Sequence, residues 1–253
     1  PNGLLAYGGC LSVTRLLSAY RQGIFPWFSE NDPILWWSPD PRWVLRPGDL
    51  KVSRSLEKRM RRGDLRVSFD RAFSRVIRAC ALPRTGQDGT WISPSMVAAY
   101  EKLFEAGYAH SFETWSEDTL VGGLYGVGIG KVFFGESMFH QISDASKVAL
   151  AWLVAALRRA RASLLDCQFQ TPHLQSLGAV EISQRRYLAK LKSAQAGYWG
   201  AGGAAAALEG RADRRRRPVP AGAVGGRAAA DAGQGQGAGL VRVHRDHRHG
   251  GGG

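Results

Sequence analysis

The sequence predicts an α+β fold in which a small N-terminal domain precedes a larger domain built on a mixed sheet. Strand-like alternation and helical spacing are interleaved over residues 1–196, and short loops join three consecutive strand patterns. A stretch rich in Trp and Pro, residues 23–47, interrupts this regularity. We therefore expect a small domain over residues 1–62, a main domain over residues 63–196 and a disordered tail over residues 197–253.

The small domain is predicted to contain two short helices. The first covers Ser12–Arg21, and Ser53 is suited to cap the second, which ends near residue 62. Helical spacing places Leu56 on the inner face of the second helix. Its outer face is basic and is formed by Arg54, Lys58, Arg61 and Arg62.

The main domain is predicted to mix helices with strands. We interpret the glycines of Gly126–Gly130 as a hairpin turn, because a phosphate-binding loop would lead into a helix and these lie between two strands. Strands are predicted at residues 65–69, 110–115, 119–127, 131–139, 164–168 and 180–182. Helices are predicted at residues 73–82, 94–106, 144–161, 172–176 and 184–191.

Composition limits the possible functions. The 253 residues carry a net charge of +13, which indicates a polyanionic partner. Residues 197–253 hold 16 of the 32 glycines and few apolar side chains, so we interpret them as a disordered, non-native tail. Three cysteines without a CxxC spacing indicate a reducing cytoplasm. The longest apolar run, Val148–Leu157, is half of what a membrane span needs, so no membrane association is expected.

Three polar residues interrupt apolar strand patterns. Glu136 stands within Phe134–Phe139, and Asp166 and Gln168 follow two leucines at spacing i, i+2, which places them on one strand face. A buried carboxylate needs a partner, so a structural ion pair or a sheet-end cap is the alternative to a catalytic role. The sequence shows no nucleophile–base pair or metal-ligand spacing, so no metal and no cofactor are expected.

Aromatic residues are concentrated near the N-terminus, in Phe25–Phe28 and at Trp36 and Trp37. Such a cluster forms either a core between two domains or a surface on which a base stacks beside the basic helix.

The chain resembles the leucyl/phenylalanyl-tRNA–protein transferase family. Nine segments match that family in order, and together they are far more specific than any one alone. They are Pro1–Ala6, Gly23–Phe28, Ile34–Arg42, Gly89–Ile92, Val121–Gly126, Phe134–Phe139, Ala145–Lys147, Asp166–Gln168 and Ser176–Ala179.

The resemblance implies an enzyme that moves Leu, Phe or Met from aminoacyl-tRNA to proteins with N-terminal Arg or Lys. Cysteine usage favours the cytoplasm, and because nothing in the sequence demands more than a monomer, we expect one. Such transfer marks the acceptor for N-end rule degradation. The resemblance also implies an acetyltransferase-like (GNAT) fold for residues 63–196. It implies that Gln168 accepts a hydrogen bond from the attacking amine, that Asp166 polarises Gln168, and that Glu136 holds the donor's amino group.

The resemblance further implies roles in substrate binding. Trp27 and Trp91 match aromatic residues near the adenosine at the tRNA 3′ end. Leu124, Phe133 and Leu153 match positions around the amino-acid pocket. The cluster that grips the tRNA acceptor stem corresponds to Arg54, Lys58, Arg61 and Arg62.

Two other functions are compatible with parts of the sequence. An acetyl-CoA-dependent acetyltransferase would need a Gly-rich pyrophosphate loop, and residues 141–144 contain no glycine. A non-catalytic RNA-binding module would use the basic helix and the tryptophans, but it leaves Glu136, Asp166 and Gln168 unexplained.

Overall fold

Two β-sheets and seven helices make up the described part of the protein, a computed structural model covering residues 3–83 and 90–195. The strands are β1 (Leu4–Tyr7), β2 (Phe25–Pro26), β3 (Leu35–Trp37), β4 (Arg42–Leu45), β5 (Arg66–Phe69), β6 (Ala109–Ser116), β7 (Thr119–Ile129), β8 (Val132–His140), β9 (Leu164–Gln168) and β10 (Val180–Ile182). The helices are α1 (Val13–Arg21), α2 (Arg54–Arg61), α3 (Phe73–Ala81), α4 (Pro94–Glu105), α5 (Ala145–Arg159), α6 (Pro172–Ser176) and α7 (Gln184–Ala194).

The N-terminal sheet is small and antiparallel, in the order β1-β3-β2. Helix α1 begins where Ser12 accepts a hydrogen bond from the Arg15 N–H, and the predicted helix is confirmed. Phe25, Trp36 and Trp37 are buried in a core shared with α1, so most of the aromatic cluster is structural.

The large sheet has the strand order β10-β4-β9-β8-β7-β6-β5. Every described pairing in it is antiparallel except that of β8 with β9, which is parallel. A parallel pair needs a crossover, and α5 supplies it between β8 and β9. The predicted α+β class with a mixed sheet and an N-terminal domain is confirmed.

Apolar residues of the large sheet alternate between two cores. Phe133 and Phe134 are neighbours in β8 but belong to different clusters, as do Leu164 and Leu165 in β9. One face packs against α1, α3, α4, α7 and the N-terminal sheet, and the other packs against α5 and α6. The parallel strands are therefore covered on both faces, as buried parallel strands require.

The prediction of a hairpin turn at Gly126–Gly130 is largely wrong. Strand β7 continues through Ile129, and only Gly130 lies in the turn, with φ +59°. Gly126 is required for a different reason, because a Cβ there would lie 2.1 Å from the Phe134 carbonyl oxygen of β8. The glycine run therefore allows two strands to approach closely.

Other sequence predictions concern domain limits and the tail. The domain boundary at residue 62 stays a prediction, although β4 precedes it and already lies in the large sheet. The disordered tail over residues 197–253 lies outside the described residues. Within the described ranges, no helix has the length and apolar character needed to span a membrane.

Candidate active site

The candidate site lies where β8 and β9 stop pairing. The two strands are in register from Val132 with Leu164 to Phe134 with Asp166, and the recorded pairs end there. On the other side of β8, Tyr125 pairs with Ser137 and Gly126 with Gly135. Glu136 is thus the extra residue of a β-bulge. Such a residue is left out of the regular strand pairing, and its side chain is redirected.

Glu136 is buried beneath two tyrosines. Tyr20 of α1 donates to its Oε1 at 2.7 Å, Tyr100 of α4 donates to its Oε2 at 3.1 Å, and the two hydroxyls also contact each other. Only 1% of Glu136 is exposed. Burial raises the pKa of Glu136 to about 7, although the tyrosine hydrogen bonds and Arg42 oppose this shift.

Asp166 is also fully buried but has a strongly basic partner. Arg42 of β4 binds it through two nitrogens, with Nε 2.9 Å from Oδ1 and Nη2 2.6 Å from Oδ2. Burial alone would lower the pKa of Arg42, but the Asp166 carboxylate and Tyr187 raise it. The Tyr187 hydroxyl of α7 donates to Asp166 Oδ2 at 2.6 Å. The donors around Asp166 therefore suit a carboxylate anion.

Gln168 connects the two carboxylates. Its side-chain Nε2 donates to Glu136 Oε1 at 3.1 Å, and its main-chain N–H donates to Asp166 Oδ1 at 2.9 Å. That Asp166 polarises Gln168 stays a prediction; the contact that the structure shows joins Asp166 to the Gln168 main-chain N–H, whereas the Gln168 side chain contacts Glu136. Gln168 has φ +62°, an uncommon backbone conformation for a residue other than glycine.

The residues expected around the amino-acid pocket lie together. Leu124, Phe133 and Leu153 are all at most 1% exposed and belong to one cluster between the large sheet and α5. The two tryptophans expected near the tRNA 3′ end, Trp27 and Trp91, are half-buried and pack against the opposite core. Trp27 contacts the Trp37 and Phe169 rings, with centroid distances of 5.5 and 5.7 Å.

The basic face of α2 is exposed, as its spacing predicts. Ser53 caps the helix and Leu56 is buried. The exposed residues are Arg54, Lys58, Arg61 and Arg62. A pocket of about 390 Å³ lies between this helix and the start of α5, and it is lined by Ser55, Lys58, Arg59, Arg62, Ser143 and Asp144. Its lining combines three basic side chains and two hydroxyls with the Asp144 carboxylate.

Sequence reasoning missed four residues of this site: Tyr20, Tyr100, Arg42 and Tyr187. The tyrosines lie on apolar helix faces, where a ring usually reports core packing. Arg42 stood in a matching segment, and its burial was the missing information. Among the described residues, no group of three or more His, Cys, Asp or Glu could hold a metal ion. Burial raises the pKa of the Cys167 thiol well above its usual range, as expected for an inert residue.

Two family models match the chain. The model for the leucyl/phenylalanyl-tRNA protein transferase N-terminal domain matches residues 9–40, and the model for leucyl/phenylalanyl-tRNA protein transferase matches residues 44–192. The second range contains Glu136, Asp166 and Gln168. The two ranges meet near the point where β4 begins the large sheet.

Named relatives agree with the family models. The leucyl/phenylalanyl-tRNA–protein transferase of Nitrosospira multiformis is 58% identical over 192 residues, which cover 76% of this chain and 83% of that protein. The protein of that name from Chromobacterium violaceum is 59% identical, covering 76% and 82%. The one from Syntrophobacter fumaroxidans is 60% identical over 191 residues, covering 75% and 82%.

A solved structure of a functionally unknown conserved protein from Staphylococcus epidermidis has a TM-score of 0.35 at 11% identity, covering 71% of this chain and 68% of its own. The family models and the named relatives define an enzyme of the transferase class. The chain belongs to the leucyl/phenylalanyl-tRNA protein transferase family.

Proposed function

We propose that this chain transfers Leu or Phe from aminoacyl-tRNA to proteins that begin with Arg or Lys, at the gap between β8 and β9. The hydrogen bond between Gln168 and Glu136 is the observation that best supports this location for the reaction. It places an amide and a carboxylate side by side in a buried position, on the face of the large sheet that packs against α1 and α4. We infer that Met is also a donor and that the enzyme acts as a cytoplasmic monomer in N-end rule degradation.

The donor's amino group binds at Glu136. A carboxylate inside the protein attracts an ammonium group strongly, because the surroundings screen the two charges less than water does. Burial raises the pKa of Glu136 to about 7, and a bound ammonium group would favour its ionised form. The donor side chain then lies among Leu124, Phe133 and Leu153. An apolar pocket selects large apolar side chains and discriminates weakly among them, at about 1–3 kcal/mol per methylene.

The reaction forms a peptide bond and breaks an ester. The acceptor's α-amino nitrogen attacks the ester carbonyl carbon, and the bond to the ribose oxygen of the tRNA breaks. The amine loses one proton and the ribose oxygen gains one, so the step balances without a cofactor. An α-amino group has a pKa of about 7.7–8.0, so a sizeable fraction is neutral at cellular pH. Positioning can therefore supply much of the rate.

Gln168 positions the attacking amine. Its Nε2 is bound to Glu136, which directs the other end of the amide, the carbonyl oxygen, away from Glu136. Among the described residues, that oxygen has no recorded hydrogen-bond donor. It is thus suited to accept a hydrogen bond from the amine as the amine loses its proton.

The tRNA binds along the exposed basic face of α2, through Arg54, Lys58, Arg61 and Arg62. Phosphate contacts of this kind position a nucleic acid without reading its sequence. The terminal adenosine contacts Trp27 and Trp91, whose rings are only half-buried and so expose surface on which a base can stack.

We also propose a GNAT-like architecture for residues 63–196, preceded by a small domain over residues 1–62. The support is an antiparallel run from β5 to β8, a helix, and a parallel β9 that separates from β8 beside a bulge. We propose that the reaction takes place in this gap between β8 and β9.

Transfer of labelled Phe from Phe-tRNA to a protein with N-terminal Arg tests the proposed function. The same acceptor with N-terminal Gly, and Gln168→Ala with the Arg acceptor, serve as controls. We expect label on the Arg acceptor alone and at least a hundredfold slower transfer by Gln168→Ala, the lower limit for a positioned proton-transfer group. Absence of transfer by the native chain would contradict the proposal.

A further inference from the structure

We propose that Arg42 and Tyr187 are positioning residues that hold Asp166 as a fixed clamp on the main chain of Gln168. This inference rests on the proposed function, because it explains how the Gln168 side chain of that reaction is kept in place. It assigns a part in catalysis to strand β4, which carries Arg42, and to helix α7, which carries Tyr187. Neither segment touches the reacting groups in the mechanism above.

Hydrogen-bond donors surround the Asp166 carboxylate. Arg42 donates through Nε and Nη2, Tyr187 donates through its hydroxyl, and Gln168 donates through its main-chain N–H, all at 2.6–2.9 Å. Two carboxylate oxygens accept four hydrogen bonds, which nearly fills their capacity. Asp166 is therefore fixed in direction, and its bond to Gln168 is fixed with it.

The clamp acts on a sharp turn in the chain. Gln168 has φ +62°, a value that few residues other than glycine adopt. The next residue, Phe169, donates from its N–H to the Cys167 carbonyl oxygen at 2.8 Å, so the chain reverses within three residues. An uncommon backbone conformation persists only where the surroundings hold it. The Asp166 bond to the Gln168 N–H is the side-chain contact that does so.

This turn decides where the Gln168 amide lies. The backbone conformation at Gln168 sets the direction in which its side chain leaves the chain, and the side-chain Nε2 lies 3.1 Å from Glu136 Oε1. A shift of the turn would move the amide oxygen relative to the attacking amine. Misplacement of about 1 Å is enough to slow a positioned reaction a hundredfold.

A substitution at Tyr187 can weaken the clamp and still keep the aromatic ring that packs against Arg42. The Arg42 guanidinium lies between the Phe25 and Tyr187 rings, 4.7 and 4.6 Å from their centroids. Tyr187→Phe keeps the ring and removes only the hydroxyl that binds Asp166. A matched control is Tyr108→Phe, since Tyr108 is half-buried against the core and lies outside the site.

A double-mutant cycle with Gln168→Ala tests the clamp. We expect Tyr187→Phe to lower kcat about tenfold, the size of one hydrogen bond to a charged group, while KM for Phe-tRNA changes less than about twofold. In the Gln168→Ala background the same substitution should change kcat by less than about twofold, because its effect passes through Gln168. Tyr108→Phe should change kcat in neither background.

Equal falls in kcat in both backgrounds, or a rise in KM and a fall in melting temperature with kcat unchanged, would overturn the clamp. Arg42→Lys provides a second cycle should Tyr187→Phe fold poorly, because it keeps the charge and loses the two-nitrogen contact; the same coupling to Gln168 is expected. Failure of the proposed function is distinct, since it appears as no transfer by the native enzyme or as full activity of Gln168→Ala alone.

Discussion

Replacing Glu136 with Gln should stabilise the protein at alkaline pH while it impairs transfer. The pKa of Glu136 rises from 4.5 to about 7 on folding, a difference of about 2.5 units. At about 1.4 kcal/mol per unit, the native protein loses about 3 kcal/mol as pH rises through this interval. The sign follows from the proton, which the folded chain keeps and the unfolded chain releases between these two values.

Glutamine carries no such pH dependence. Below about pH 4.5 Glu136 is protonated in both states, so the native protein and Glu136→Gln should differ little in the way their stability changes with pH. By pH 8 the difference in unfolding free energy should have grown by about 2–3 kcal/mol in favour of Glu136→Gln. Other titrating groups, such as His173, whose pKa burial lowers, are common to both proteins and cancel.

Urea unfolding at pH 5 and pH 8 measures this difference, analysed by linear extrapolation. Glu105→Gln is the matched control, because Glu105 is exposed on α4, and its difference from the native protein should be the same at both pH values. Parallel stability curves for the native protein and Glu136→Gln would refute the reasoning. They would show that the tyrosine hydrogen bonds compensate burial of the charge fully.

Three further outcomes are expected. Gln168→Ala should slow transfer by about 10²–10⁴-fold with little change in Phe-tRNA binding, measured by single-turnover kinetics and filter binding. Leu153→Ala should lower unfolding stability by about 2–5 kcal/mol and relax the preference for Leu over smaller donors, measured by denaturation and donor competition. Charge reversal on the basic face of α2 should flatten the salt dependence of tRNA affinity without lowering the melting temperature. An unchanged salt slope would show that the tRNA binds elsewhere. The substitutions are Arg54→Glu, Lys58→Glu, Arg61→Glu and Arg62→Glu.

Local signals account for what the sequence predicts well. The Ser53 cap and the spacing of basic residues define α2, and polar residues within apolar strands single out Glu136, Asp166 and Gln168. These signals depend on neighbours along the chain. The residues around the carboxylates do not, since Tyr20 lies 116 positions from Glu136 and Arg42 lies 124 from Asp166. Only the folded chain shows such partners.

The glycine run shows a second limit. Gly126–Gly130 has the composition of a turn, yet most of it is strand, because glycine also serves where two backbones approach closely. Composition alone does not separate these two uses.

The two buried carboxylates of the site have different partners, and this difference assigns their roles. Asp166 is bound by the Arg42 guanidinium, whereas Glu136 is contacted by the neutral donors Tyr20, Tyr100 and Gln168. Two carboxyl groups in contrasting environments commonly divide the work of a site. Glu136 therefore lacks a permanent cation, and the donor's ammonium group is the partner that would supply one.

A donor without that ammonium group provides the last prediction. Phenyllactyl-tRNA replaces the amino group of Phe-tRNA with a hydroxyl of nearly the same size. The native enzyme should bind it about 10- to 100-fold more weakly than Phe-tRNA at pH 7, the effect of losing a hydrogen bond between charged groups. In Glu136→Gln the two donors should bind about equally, since the amide has no charge to pair. Competition binding measures both ratios, and an equal preference for Phe-tRNA in the two proteins would show that Glu136 does not hold the amino group.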